Sequence, residues 1–213
     1  MMMLVRALTR RLKVAPVRFR HMDYTLAVEN APDTIPGGTC VLLLHPSTGE
    51  TDRIDTDFLK TDTDHFLVIS TRTTAREVKQ KLEYYDVDES RAIILDTLSV
   101  ERGYSRRSSD DVHYVSAPDD LEGILEHTRR FLESHDGKLR ISVDSVTELA
   151  YYADDQAVYE AMGDLCRLLE EHDAVGLFHL AAEVHDDEMV ERYIDLFDGV
   201  IDLNETGSIS VSF

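Results

Sequence analysis

From residue 22 onward, short and almost wholly apolar runs alternate with segments whose apolar residues recur every three to four positions, and this alternation restricts the chain to a parallel sheet wrapped by helices. The apolar runs predict strands at 40–44, 66–70, 92–95, 139–143, 174–180 and 200–203, with a terminal strand at 209–213. Taken together they lack polar–apolar alternation, as expected of strands covered on both faces. Between them, Ala75, Val78, Leu82 and Tyr85 share one helical face, as do Leu121, Ile124, Leu125, Thr128 and Leu132. Val158, Ala161, Met162, Leu165, Leu168 and Leu169 mark the longest helix, and Met189 to Phe197 the last, ended near Gly199. The acidic runs opposite these stripes, Asp154-Asp155 and Glu170-Glu171, read as solvated faces. The irregular stretch 101–111 reads as an exposed loop before a short run at 112–115. At 213 residues, with no internal repeat, the economical organisation is one domain over 22–213 behind a basic extension at 1–21.

Charge changes abruptly at that boundary. Residues 1–21 hold six bases and no acids, which leaves 16 bases against all 42 acids, a net charge of -26, in the remainder. Only five bases of the whole chain are lysines and tryptophan is absent, a pattern that points to a protein screened by a salt-rich, halophilic cytoplasm; an ordinary acidic protein is the alternative. Such a body repels polyanions, so no direct nucleic-acid contact is expected. Leu4, Leu8 and Leu12 fall on one face of a short basic helix that Pro16 would stop. A secretory leader would need a longer apolar core and a small-residue cleavage site, and the preferred reading is a start at Met22. No run approaches the roughly 20 apolar residues of a membrane span, so no integral membrane contact is expected. Cys40 and Cys166, one on a predicted strand and one on a predicted helix, read as separate buried thiols.

Two stretches carry the pattern of a site. The first strand is preceded by Pro36-Gly37-Gly38 and followed by Leu44-His45-Pro46-Ser47-Thr48-Gly49-Glu50-Thr51, which runs into a helix: the place of the phosphate-binding loop G-x-x-x-x-G-K-[ST]. Gly49 and Thr51 are in register, but Leu44 replaces the first glycine and Glu50 the lysine. The second stretch, Leu139 to Ser145, is an apolar strand delivering Asp144 at its carboxyl edge, where ligands of such sheets bind, so Asp144 and Gly49 to Thr51 should converge on one crevice.

With these motifs in place, residues 24–213 resemble the KaiC/GvpD branch of the RecA-like ATPases, and within it an uncharacterised haloarchaeal group. The resemblance rests on IPGGTCVLLLHPSTGET, on HFLVISTRTTAREVKQKLEYYDVD, on ISVDSVTEL and on the closing FDGVIDLNETG. It implies a three-layer α/β RecA-like fold: a mostly parallel central sheet, helices on both faces and antiparallel terminal strands. It also implies that the chemistry is lost. Where relatives carry paired glutamates after the second strand, this chain reads Ser70-Thr71-Arg72-Thr73, and where their terminal strands supply a Lys and an Arg in trans, it closes from Gly207 to Phe213 without a base.

Replacing Lys by Glu at position 50 reverses a charge whose interaction with a phosphate at 4 Å is worth about 4 kcal/mol at an effective dielectric near 20. Asp52, Asp55 and Asp57 crowd the same helix start and answer its positive end. The expectation is therefore a degenerate RecA/KaiC-like domain with no catalytic residue and no cofactor, acting as a regulatory or scaffold protein with protein partners: further copies of itself or an intact KaiC-like ATPase. The alternative is an ATP-binding switch or weak ATPase in which Ser47, Thr48, Gly49, Glu50, Thr51 and Asp144 line the nucleotide and Thr51 and Asp144 hold magnesium. A third reading, a DNA repair or recombination accessory, rests on fold analogy and conflicts with the charge. His179, Glu183, His185, Asp186 and Asp187 invite a metal reading, but their spacing matches no H-E-x-x-H and a solvated loop is expected. Arg72 and Arg76 lie near the crevice and read as helix-surface arginines, with an anionic ligand or partner as the alternative. No G-x-S-x-G elbow marks a hydrolase.

Overall fold

The computed structural model describes residues 22–47, 51–103 and 109–213. The loop residues Thr48, Gly49 and Glu50, the basic stretch at 1–21 and part of the expected exposed loop lie outside them. In chain order the strands are β1 (Asp23–Thr25), β2 (Thr34–Pro36), β3 (Cys40–His45), β4 (His65–Ser70), β5 (Ala92–Asp96), β6 (Val112–Tyr114), β7 (Leu139–Asp144), β8 (Val175–Ala181), β9 (Gly199–Leu203) and β10 (Ile209–Ser212). The α-helices are α1 (Asp52–Lys60), α2 (Ala75–Tyr84), α3 (Leu121–Ser134), α4 (Val146–Tyr152), α5 (Asp155–Glu171) and α6 (Asp187–Leu196).

Eight strands form one sheet in the order β10-β9-β3-β8-β7-β4-β5-β6. Every neighbouring pair is parallel except β9 and β10, whose antiparallel register pairs Leu203 with Ile209 and Val200 with Ser212. This is the expected three-layer α/β architecture. The sheet separates two apolar cores. On one side α3 to α6 contribute Ile124, Phe131, Val146, Leu149, Met162, Leu165 and Tyr193 against Leu42, Ile69, Val143 and Phe178. On the other, α1 and α2 contribute Phe58, Leu59, Val78 and Leu82 against Val41, Leu43, Val68 and Leu177.

Two elements were not expected from the sequence. The antiparallel β1–β2 hairpin carries only three residues per strand, too short for a periodic signal, yet it buries Tyr24, whose hydroxyl donates to the Asp173 carbonyl (2.8 Å) and accepts from the Leu139 amide (3.1 Å). Helix α4 turns directly out of β7, with only Val146 and Leu149 buried.

The helices begin on their own acids and hydroxyls. Asp120, Ser145, Asp154 and Asp186 each accept a backbone N–H as N-caps, and Thr74 with Glu77 forms a reciprocal capping box. Asp154, expected on a solvated face, is thus the cap of the longest helix, accepting from the Gln156 and Ala157 amides.

Candidate functional site

The site grows from an alternation inside a single strand. In β7 the sequence Leu139-Arg140-Ile141-Ser142-Val143-Asp144 alternates apolar and polar with period two, and all six residues are buried. Leu139, Ile141 and Val143 join the core beneath α3 to α6, so Arg140, Ser142 and Asp144 point to the α1/α2 face. His179 on β8 and His45 at the end of β3 follow the same logic and lie within the α1/α2 layer, almost without solvent exposure. The three central strands therefore deliver a polar band into an otherwise apolar layer.

The covering helices answer it with charge. Asp55 sits one turn before Phe58 and Leu59 on the buried face of α1 and is 0% exposed. Its carboxylate accepts from Ser142 Oγ (2.5 Å), from Lys81 Nζ (2.8 Å) and from His179 Nε2 (3.3 Å). Lys81 reaches in from α2, one turn after Val78, and its ammonium also lies 3.7 Å from Asp52 and 3.9 Å from Asp144. Arg72, in the turn between β4 and α2, clamps Asp144 Oδ1 with Nε at 2.7 Å and a terminal nitrogen at 2.6 Å. Burial alone would push the Asp55 carboxyl up, but Lys81 and His179 outweigh it and hold it well below the ordinary carboxylate range. Burial likewise disfavours the Lys81 ammonium, and Asp55, Asp144 and Asp52 together raise it above its ordinary value.

The histidines complete the band. His179 spends Nε2–H on Asp55, which leaves Nδ1 without a partner among the described residues. His45 spends Nδ1–H on the Pro46 carbonyl at 2.9 Å, its own Nε2 finding no partner among the described residues, and the rings meet edge to face at 5.8 Å. Burial is the main reason that the His45 imidazole titrates below its ordinary value.

Several expectations are corrected here. His179 is a core residue of β8, not part of a solvated loop, and no group of three or more His, Cys, Asp or Glu residues among the described ones is placed to hold a metal. His185 bonds Thr147 Oγ1 (3.0 Å) and Asp186 caps α6. Arg72 lies on no helix surface but ion-pairs with Asp144. Asp55 faces the core instead of the end of its helix. Lys81 lies on the Val78–Leu82–Tyr85 face that the helical period marks as buried, the one sequence signal of its role.

Of the candidate nucleotide residues, Thr48, Gly49 and Glu50 lie outside the described residues. Ser47 bonds the Glu183 carboxylate through its amide (3.0 Å) and its hydroxyl. Thr51 is buried as the N-cap of α1, with no side-chain cap hydrogen bond. The expected convergence of Asp144 with Gly49 to Thr51 falls partly outside the described residues; within them, Lys81 lies near both Asp52, the first residue of α1, and Asp144. Where paired glutamates were expected to be missing, Ser70 Oγ bonds the Thr73 carbonyl (2.7 Å) and Thr71 Oγ1 engages both the carbonyl (3.0 Å) and the amide (2.6 Å) of Ser145. The Asp144–Ser145 peptide is cis. A cleft of about 680 Å³ opens beside Pro46; among the described residues on its walls, Glu29, Asp57, Glu183 and Glu205 face a single base, Arg53.

The match that decides kinship spans residues 22–213 and is to the model described as "Family of unknown function (DUF7090)". The chain belongs to this family. A search of curated proteins finds no match. Among solved structures, the KaiC-like protein PH0186 from the hyperthermophilic archaeon Pyrococcus horikoshii OT3 is similar over 90% of this chain and 85% of that one, at 16% identity and a TM-score of 0.60. The uncharacterized protein PH0321 from Pyrococcus horikoshii, solved in complex with an unknown peptide, aligns over 83% of each chain at 14% identity and a TM-score of 0.60. An ATPase from the type III secretion system of pathogenic bacteria matches over 87% of this chain at 14% identity and a TM-score of 0.59, and only 57% of its own length is covered. At such identities the likeness shows the fold: this DUF7090 member has the RecA-like, KaiC-like P-loop ATPase fold. None of its helices, among the described residues, is long and apolar enough to cross a membrane.

Proposed function

We propose that this chain is a RecA-like domain of a haloarchaeal, KaiC-like type with a degenerate phosphate loop, that it has given up ATP hydrolysis, and that it acts in the cytoplasm as a regulatory or scaffold protein. The observation that carries this reading is the state of Asp144. A carboxylate that coordinates magnesium does so best with no protein cation beside it, whereas Arg72 bonds Asp144 Oδ1 twice and the Lys81 ammonium stands 3.9 Å from Oδ2. As arranged, Asp144 does not fit a magnesium ligand. The cleft beside Pro46 adds to this, because four carboxylates against one arginine make a poor host for a polyphosphate.

What remains is a rigid fold offering surfaces to proteins. The partner class is a second copy of this chain or an intact KaiC-like ATPase; PH0321, of similar fold, was solved with a peptide bound, which supports a peptide-binding use of the architecture. Calorimetric titration of ATP with magnesium into the full chain at molar KCl tests the reading, with Asp144→Ala as control. Absence of saturable heat to millimolar nucleotide is expected; saturable heat abolished by Asp144→Ala would sink it.

That second outcome belongs to the alternative, an ATP-binding switch with magnesium on Thr51 and Asp144. One observation favours it: the Thr51 side chain is not spent on capping α1. It requires Arg72 and Lys81 to leave Asp144, and the charge-paired Lys81 side chain is only 14% exposed.

A further inference from the structure

The only two cysteines of the chain, separated by 126 positions in sequence, meet in the fold. Cys40 opens β3 and is fully buried; Cys166 lies on α5, half-buried and packed against the core cluster that contains Cys40, and its sulfur is one of the groups that push the Cys40 thiol up. The backbone brings the elements together at this point. A Cβ built on Gly38 would stand 3.2 Å from the Cα of Glu170, one helical turn beyond Cys166. Cys40 is fixed from the other side too, its amide donating to Asp198 Oδ2 (2.8 Å) and its carbonyl accepting from the Asp198 amide (2.9 Å). Cys166 opens onto a cleft of about 660 Å³ lined by Gly38, Thr39, Gly163, Leu196 and Phe213.

We infer that Cys40 and Cys166 are a redox-active pair that closes to an intramolecular disulfide when a hydroperoxide enters the Cys166 cleft. The Cys166 thiolate attacks the peroxide, the O–O bond breaks, and the sulfur becomes a sulfenic acid as hydroxide departs. The Cys40 sulfur then attacks the sulfenic sulfur, the S–O bond breaks, and the departing hydroxide takes the Cys40 proton as water. Two thiols and one hydroperoxide give one disulfide and, for hydrogen peroxide, two waters; a dithiol reductant reverses the change.

The division of labour follows from the surroundings. Burial first, then the Cys166 sulfur and the carboxylates of Asp198 and Glu170, hold the Cys40 thiol well above its ordinary value, so it resolves and does not initiate. Cys166 is the sulfur that the cleft exposes. The bond would tie β3, whose far end carries His45 of the charged band, to the helix layer on the opposite face of the sheet.

The test uses the full chain at molar KCl, with hydrogen peroxide as the probe. Expected are the loss of both free thiols, an intact mass lower by two hydrogens, a Cys40–Cys166 linked peptide under non-reducing digestion, and a midpoint of thermal unfolding higher by roughly 10 °C, all reversed by dithiothreitol. The half-buried site lets Cys166→Ser fold, and this variant should keep Cys40 reduced under the same exposure. A sulfinic acid on Cys166 with Cys40 still free would overturn the pairing. So would Cys166-linked dimers, or native thiols that stay reduced while the unfolded chain oxidises.

Discussion

Lys81 holds Asp55 at 2.8 Å inside the α1/α2 layer, where the carboxylate is wholly buried and the lysine side chain is 14% exposed. A pair of this kind contributes little net stability, because desolvating two charges offsets most of their attraction, yet removing one partner strands the other. Lys81→Met should therefore cost about 3–5 kcal/mol. Adding Asp55→Leu should recover part of that loss, since the stranded charge goes with it while the buried Ser142 and His179 donors lose their acceptor. Denaturant unfolding at molar KCl measures both, and equal losses in the single and double variants would contradict the coupling.

The same band sets a pH dependence. The His45 imidazole is lowered by burial, so on acidification the unfolded chain takes up the proton first, and stability falls as pH drops below about 6.5. Asp55 is held low as well; its contribution is intact above the unfolded value of about 3.9 and is lost as pH falls from there through its depressed folded value. His127 and His185, both lowered chiefly by burial, add losses of the same sign as His45. Between pH 7 and 5, His45→Gln should accordingly lose less unfolding free energy than the wild type, by urea titration at each pH. A wild-type loss no larger than the variant's would remove His45 from the account.

Arg72 provides a separate handle on the closed carboxylate. Arg72→Ala removes two charge-assisted bonds from Asp144, whose side chain is 6% exposed, and leaves Lys81 at 3.9 Å as the remaining cation. A loss of about 2 kcal/mol is expected by thermal unfolding, with no gain in affinity for ATP and magnesium because the cleft beside Pro46 stays acidic. Tight magnesium binding by Arg72→Ala would show instead that Asp144 is a metal ligand held in reserve.

The layers and central strands were legible because buried parallel strands are short apolar runs rich in β-branched residues and bounded by turn residues. The site was legible only in outline. Asp144 announced itself at the end of β7, but the alternation of Arg140, Ser142 and Asp144 was submerged in the general apolar pattern of the strands. Lys81 lies on a face that the helical period marks as core, but a lysine gives no sign of burial by itself, and Asp55, read with Asp52 and Asp57 as answering the helix start, turns instead into the core, which a chain with 42 acids does not single out. The meeting of Cys40 with Cys166 had no local signal, since contact across 126 positions is a property of topology alone. The closing Asp-Gly, noticed as a motif, has a local reason: Asp198 clips the start of β3, and a Cβ on Gly199 would fall 2.3 Å from the Phe213 ring.

The glycine pair before β3 offers the cleanest separation of steric from conformational cost. Gly37 needs no unusual backbone angle, but a Cβ there would sit 2.6 Å from the Asp173 carbonyl oxygen, which Tyr24 also grips through its hydroxyl, so that neighbour cannot yield. Gly38 has a φ of 89° and a Cβ would meet the Glu170 Cα at 3.2 Å. Gly207, at a φ of 80° with nothing within 4 Å, pays the backbone term alone and serves as the control. Alanine should cost about 1 kcal/mol at Gly207 and about 1–2 at Gly38 from the left-handed backbone. At Gly37 it should cost about 1–3 kcal/mol or more from overpacking, although that position looks the most permissive by angle. Unfolding midpoints of the three variants check the order. If Gly37→Ala proved the mildest, the contact between the β1–β2 hairpin and the Asp173 turn would be looser than its hydrogen bonds indicate.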